Sequence, residues 1–284
     1  MQKEKIKKKT KRKSKNKVWR ILRKEIVMFF SGESLYRKQI LAWLIADIIK
    51  VVGLCFVWMS ASKYTSDITR NYVVTYYILL MLISKLTTDR TIEFGIGNIL
   101  SGRFSNLLIK PFNYLTEYLG INIGNNIFRT ILFLPAFLVA LFLVKKTNLW
   151  MFNIAGFSIV EILLIALSIV IGFLINFFIG NTVALIAIFV KEVDGIRVFY
   201  YNIFSMLSGE FIPFAFLPTI GQQVMIFLPF RYTLSFPIEL IINSLSIQEM
   251  QFGFVLSLLW LAVCIVIYKI FYKISLTHYE AEGL

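Results

Sequence analysis

The charged and amide side chains embedded in the oily stretches of this sequence are the ones whose types and spacing could do chemistry. Asp47 and Lys50 stand three apart in one apolar run, Arg129 and Glu161 lie in two others, and Glu210 follows Gly209 at the end of another. A charge held inside a membrane is costly, so each is a candidate for contacting a transported molecule or relaying protons. Each also has a structural alternative. The spacing of Asp47 and Lys50 predicts an ion pair along one helix face. Arg129 and Glu161 are expected to pair between helices, and Glu210 to reach the membrane surface. Asn176 and Asn181, near Gly172 and Gly180, suit hydrogen bonding and close approach between helices.

Other chemistries lack their residues. The one histidine, His278, leaves no histidine relay, and Cys55 and Cys264 both sit in apolar surroundings, which offers neither a disulfide frame nor a metal cluster. Gly97 and Gly102 have the glycine spacing of a phosphate-cradling loop, but Arg103-Phe104 follows where Lys-Ser/Thr is required. Neither G-x-S-x-G nor H-E-x-x-H occurs. The chain is therefore expected to be no enzyme and to carry no catalytic, metal or cofactor-binding residues.

The elements that must position the buried polar groups are helices in a bilayer. Of 284 residues, 58% are hydrophobic and only 16% charged, with a mean hydropathy of +0.74. Ordinary soluble domains run near 45–50% apolar and about 25% charged. The net charge of +14 is uneven, since residues 1–38 hold 15 of the 30 Lys and Arg. Residues 1–17 have too little apolar surface to fold and are expected to be a disordered basic tail. They contain no aromatic residue for stacking on bases, so attraction to anionic lipid headgroups is expected rather than nucleic-acid binding. Deleting residues 2–17 should then disturb insertion or topology; an unchanged topology would remove that role. Val18, Leu22, Ile26 and Phe29/Phe30 recur at helical spacing with Arg20, Arg23 and Lys24 between them, which predicts an amphipathic interfacial helix within 18–38.

A six-span membrane domain is predicted over 39–275, followed by a short tail, 276–284. The spans are Ile40–Ser60, Thr69–Leu86, Gly120–Val144, one within Thr147–Val190, Val198–Ile212 and Met250–Tyr268. The second can cross only if Arg70 and Lys85 snorkel to opposite surfaces. Thr147–Val190 has one charge in 44 residues, enough for either two spans or one long span with an interfacial extension. Counting it once puts 23 Lys and Arg on the side of both termini and five on the other, in accord with the positive-inside rule. Two loops are unusual. Residues 87–117 contain a short amphipathic stretch, Asn98–Ile109, closed by Pro111. Residues 213–249 are apolar yet hold four of the six prolines, which suits broken half-helices dipping into the membrane.

In these loops the sequence resembles a known family. Gly97-Asn98-Ile99-Leu100-Ser101-Gly102-Arg103-Phe104-Ser105-Asn106-Leu107-Leu108-Ile109-Lys110-Pro111-Phe112-Asn113-Tyr114 is similar to the I-x-x-G-x-L-S-x-x-L-L-x-P segment of ATP-binding-cassette (ABC) export permeases of the type 2 class. Leu207-Ser208-Gly209-Glu210-Phe211-Ile212-Pro213-Phe214, Leu217-Pro218 and Leu228-Pro229-Phe230-Arg231-Tyr232 resemble that class's S-G-x-x-x-P and L-P-F-x-Y segments. The resemblance implies an all-α membrane permease with an N-terminal connecting helix, a cytosolic coupling helix and re-entrant outer helices between spans 5 and 6. It implies a second permease subunit, identical or related, and separate cytosolic ABC ATPase subunits that hold the ATP and magnesium. It also implies a plasma-membrane location with cytosolic termini, and the Lys/Ile/Asn-rich usage is consistent with a bacterium. Phe104, Leu107 and Leu108 are then expected to form the apolar contact face of the coupling helix. Arg103 and Lys110 would meet acidic groups on the ATPase, ahead of Pro111. Two other classes make contrasting demands. An ion-coupled secondary transporter would use Asp47, Lys50 and Glu161, and a membrane-embedded lipid- or glycan-modifying enzyme would need clustered acids or histidines near an interface.

Overall fold

The computed structural model describes residues 19–28, 30–32, 37–64, 69–111, 113–147, 149, 151, 156–190 and 193–279. The basic tail lies outside them. Every regular element among the described residues is helical. Four helices are long and apolar enough to cross a membrane: Lys38–Ala61, Tyr114–Lys146, Ile159–Ile188 and Ile247–His278.

Residues 19–28 and 30–32 form α1, which packs on the chain instead of lying free. Its Leu22 and Glu25 rest on Gly120, where a side chain would collide, and the Phe30 ring meets Phe128 edge-on at 5.3 Å. Burial, then the neighbouring Glu117, pushes the Glu25 carboxyl above its usual range, and Lys110 opposes that.

Three long helices shield a polar centre. Helix α2 (Arg37–Ala61) and α6 (Tyr114–Lys146) flank α3 (Arg70–Thr87), and α11 (Ile247–His278) backs α7 (Ile159–Leu185). Helix α3 carries Arg70, Asn71, Lys85 and three tyrosines, a composition too polar to face lipid. It is buried at twelve of its eighteen residues instead. Its Lys85 does not snorkel to a surface. The ammonium meets Asp47 of α2 at 2.6 Å and lies 4.4 Å above the Phe133 ring, where a pair and a π-face offset its desolvation.

Among the described residues of 147–190, one helix is long and apolar enough to cross. Ser158 and Glu161 form a reciprocal capping box at its start, because a hydroxyl and a carboxylate three residues apart satisfy two orphan N–H groups. Glu161 is therefore occupied at the end of α7 and does not pair with Arg129, whose guanidinium lies 5.1 Å from the Trp43 ring. The C-terminal helix runs on to His278.

The expected span at Val198–Ile212 is shorter than a crossing. Helix α8 (Asp194–Leu207) has 14 residues, about 21 Å of helix against a hydrocarbon core of about 30 Å. It stops at Gly209, whose φ of +87° ends a helix at little steric cost. After it the chain breaks into α9 (Thr219–Ile226), a 3-10 turn at Pro229–Thr233 and α10 (Ser235–Ile242). All eight residues of α10 are buried, against α3 and α7.

Three carbonyls at that break accept hydrogen bonds from side chains of three other helices. Tyr76 donates to the Gly209 carbonyl (2.8 Å), Tyr77 and Trp58 both donate to the Phe211 carbonyl (3.0 and 2.7 Å), and Ser235 donates to the Ser208 carbonyl (2.9 Å). Such satisfaction is what interrupted backbone needs at membrane depth.

Candidate functional site

A half-open cavity of about 250 Å³, lined largely by polar residues, lies among α2, α3, α7 and α8. Lys50 enters from near the middle of α2 and pairs with Glu210, just past the end of α8. Glu210 also accepts a hydrogen bond from Ser205 at 2.6 Å, and the Lys50 ammonium lies 5.3 Å from the Phe211 ring. The expected Asp47–Lys50 pair is thus not formed. Each partner finds a charge on another helix, Lys85 for Asp47 and Glu210 for Lys50, because cross-helix pairing neutralises two further groups that would otherwise be stranded. Glu210 correspondingly faces the bundle interior and does not extend to a surface.

One wall of the cavity is the turn between α3 and α4 (Thr91–Leu100), Thr88-Asp89-Arg90. Three asparagines hold this turn and the end of α3. Asn126 of α6 donates to the carbonyls of Leu86 (2.9 Å) and Thr88 (3.0 Å). Asn122 accepts from the Arg90 N–H at 2.7 Å and donates to the Thr91 hydroxyl. Asn176 of α7 donates to the Thr87 carbonyl at 2.9 Å. Asn176 therefore does the interhelical bonding its position suggests. Among the described residues, Asn181 bonds back to Phe177 of its own helix. The Asn122 and Asn126 contributions were not singled out from the sequence. Their signal was legible, amides at i and i+4 with Asn125 between them inside an apolar helix.

Asp89 itself lies against Gly180 of α7, a position only glycine leaves open. Its Oδ1 accepts from the Thr91 hydroxyl at 2.5 Å. Burial pushes its carboxyl up to about 8, although hydrogen bonds from Thr91 pull the other way and Glu93 adds to the rise.

Beyond α4 the chain turns sharply. The predicted continuous stretch Asn98–Ile109 is two helices, α4 and α5 (Phe104–Leu108), because Gly102 adopts φ +70° between them. Pro111 follows one turn later. The apolar face expected of Phe104 and Leu107 points inward: both are buried, Phe104 edge-on against Tyr114 (5.4 Å) and Tyr279 (5.3 Å). Leu108 is partly buried against the same cluster. Lys110 pairs within the chain, with Glu117 at 2.5 Å. Facing outward are Leu100, Ser101, Arg103, Asn106, Ile109 and Pro111, with Ile109 82% exposed.

The elbow is thus a small outward surface rooted in the bundle on three sides. Tyr114 and Tyr268 share a hydrogen bond at 2.7 Å, Ser105 and Tyr279 another at 3.0 Å, and α4 crosses α7 where Gly95 meets Ala184.

No curated protein matches the chain. The family model for "ABC-2 family transporter protein" does, over residues 44–283, which include α3, the elbow, the cavity lining and the broken segment after Gly209. A helical bundle with four apolar crossings, interior charges neutralised in cross-helix pairs and an outward elbow suits a membrane transport component, and by that match the chain belongs to the ABC-2 family of transporter proteins.

Proposed function

We propose that this chain is the membrane permease subunit of an ATP-driven exporter. It pairs with a second permease subunit in the bilayer and with separate ABC ATPase subunits that bind ATP and magnesium. Four long helices and α3 make five passes, and α8 together with the segment that follows Leu207 makes the sixth; the broken segment of α9 and α10 then dips in from outside. Both termini and the elbow then lie in the cytosol of a plasma membrane, with α1 as the connecting helix.

The observation that carries this reading is the elbow. It exposes Leu100, Arg103, Asn106 and Ile109 while Phe104 and Leu107 anchor it to α6 and α11. A lever needs both an outer contact and an inner root. The competing ion-coupled mechanism would need Asp47, Lys50 and Glu161 near one another. They are instead engaged with Lys85, Glu210 and Ser158 respectively.

The test is association. Arg103→Glu combined with Ile109→Asp reverses the charge and polarity of the outer surface and touches neither anchor. Co-purification with co-expressed ABC ATPase subunits should fall at least tenfold, on the order of 1.4 kcal/mol or more. Undiminished association would overturn the coupling role of the elbow.

A further inference from the structure

A second space, an apolar groove of about 600 Å³, lies among α2, α3 and α6. Ala136 and Ala140 leave its α6 wall short of bulk, while Val74 and Ile78 of α3, both buried, close its back. Val52 and Phe56 of α2 and Val139 and Leu143 of α6 stand exposed along it, Phe56 by 66%. From Ile48 to Met59 the groove follows α2 for roughly 16 Å at about 1.5 Å per residue, one leaflet's share of a hydrocarbon core near 30 Å. It uses the C-terminal halves of α2 and α6 and the N-terminal half of α3. The elbow joins the opposite ends of α3 and α6, so the groove lies in the other leaflet. Left empty, its lining would forfeit dispersion contacts on one side, which an acyl chain supplies.

The mouth of the groove is basic. Arg70 lies one turn beyond Val74 on α3, and Lys146 one turn beyond Leu143 on α6 with Lys145 beside it. Lys63 follows Met59 in the turn Ser62–Tyr64, which packs on α2 and α3. The ends of α3 and α6 are tied together there, since the Met151 N–H just past α6 donates to the Thr75 hydroxyl at 3.2 Å. All four cations are exposed. Residues 59–75 and 136–151 hold one acid against them, Asp67, which lies outside the described residues. Five Lys and Arg fall on the side away from the elbow by the charge count, and the fifth, Arg231, is buried against Glu239. Every exposed one therefore sits at this mouth. Lys145 and Lys146 also suit the C-terminal dipole of α6, but Arg70 opposes the dipole at the start of α3, so helix electrostatics do not account for it.

We propose that the groove seats one acyl chain of an anionic glycerophospholipid, with the headgroup phosphate among Lys63, Arg70, Lys145 and Lys146. Chain contacts alone select nothing, because lipid tails are as apolar as the groove. Selection comes from net headgroup charge, each basic group near an anionic headgroup being worth roughly fivefold. A zwitterionic lipid fits the same groove without that gain. The site goes beyond the permease reading and depends on it only for calling this leaflet the outer one.

The experiment is photo-crosslinking of the purified full chain in phosphatidylcholine nanodiscs that carry a trace of phosphatidylglycerol with a diazirine on one acyl chain. Peptide mass spectrometry reads the labelled positions. Val52, Phe56, Val139 and Leu143 should be labelled at least tenfold more than Val255 and Leu259, exposed residues in the half of α11 away from the elbow. Unlabelled phosphatidylglycerol should compete, and the same diazirine chain on phosphatidylcholine should label both sets alike. Arg70→Gln with Lys145→Gln and Lys146→Gln changes only exposed side chains. It should lower groove labelling by phosphatidylglycerol at least tenfold and leave labelling by phosphatidylcholine unchanged. Ala140→Phe fills the groove and keeps the cations, so it should remove groove labelling by either lipid and spare α11. Equal labelling of groove and α11 by phosphatidylglycerol, or an undiminished triple variant, would overturn the site. Groove positions shielded from both lipids in a dimer would give the groove to a second copy of the chain and equally overturn it. None of these results bears on whether the elbow holds an ATPase, which the association test reads separately.

Discussion

Replacing Arg231 by Met should destabilise the protein by about 3–5 kcal/mol, the usual cost of stranding one member of a buried ion pair. Arg231 and Glu239 meet at 2.6 Å with their side chains 7% and 3% exposed, inside the broken segment between α8 and α11. The guanidinium also lies 3.9 Å from the Phe214 ring, so it ties the start of that segment to α10. Glu239 Oε1 has no other partner among the described residues, hence removal of the guanidinium leaves a carboxylate with nothing to replace it. Reversible unfolding of the purified chain in detergent measures the loss. The double variant Arg231→Met, Glu239→Leu should recover most of it, because a well-packed apolar pair removes both desolvation costs at once. A single variant as stable as the parent would show that the pair does not hold this segment together.

Gly209→Ala should also be severe, about 2–4 kcal/mol, for two separable reasons. A φ of +87° is unfavourable for any residue with a Cβ. The added methyl would also collide with the Ser235 hydroxyl and come within 2.5 Å of the Tyr76 hydroxyl, the two groups that bond the carbonyls at the break. Moving Tyr76 strands the buried Gly209 carbonyl, whereas the Ser208 carbonyl would keep the Ser235 N–H. The comparison variant is Tyr76→Phe, which removes one hydrogen bond and leaves the backbone angle alone, so it should cost less, about 1–3 kcal/mol. If Gly209→Ala proved milder than Tyr76→Phe, the break would be held by something other than its glycine. The same junction positions Glu210 against Lys50, so both variants should also alter the cavity.

Much of this organisation was legible in the residues. Apolar runs of crossing length, Pro111 and the proline-rich stretch after Gly209 are local signals, and local signals survive folding. Charge partners were not legible. Asp47 and Lys50 look paired because spacing is all that a sequence displays. Yet Lys85 lies 38 residues from Asp47 and Glu210 lies 160 from Lys50, and only packing of α3 and α8 beside α2 brings them together. Phe104 and Leu107 misled for a related reason. An amphipathic stretch shows that one face is apolar but not whether a partner or the chain's own tyrosines cover it.

The sequence by itself determined that this is a helical membrane protein with a basic N-terminus and an amphipathic stretch ahead of Pro111, because hydropathy, helix breakers and motifs are properties of neighbouring residues. Tertiary structure decided the rest: that the fifth apolar segment stops half-way, that its freed carbonyls are bound by Tyr76, Tyr77, Trp58 and Ser235, and that Asp89 and Asn176 share one cavity wall. Buried polar groups must be satisfied by whatever helix lies alongside, and which helix that is depends on the packing of the whole bundle.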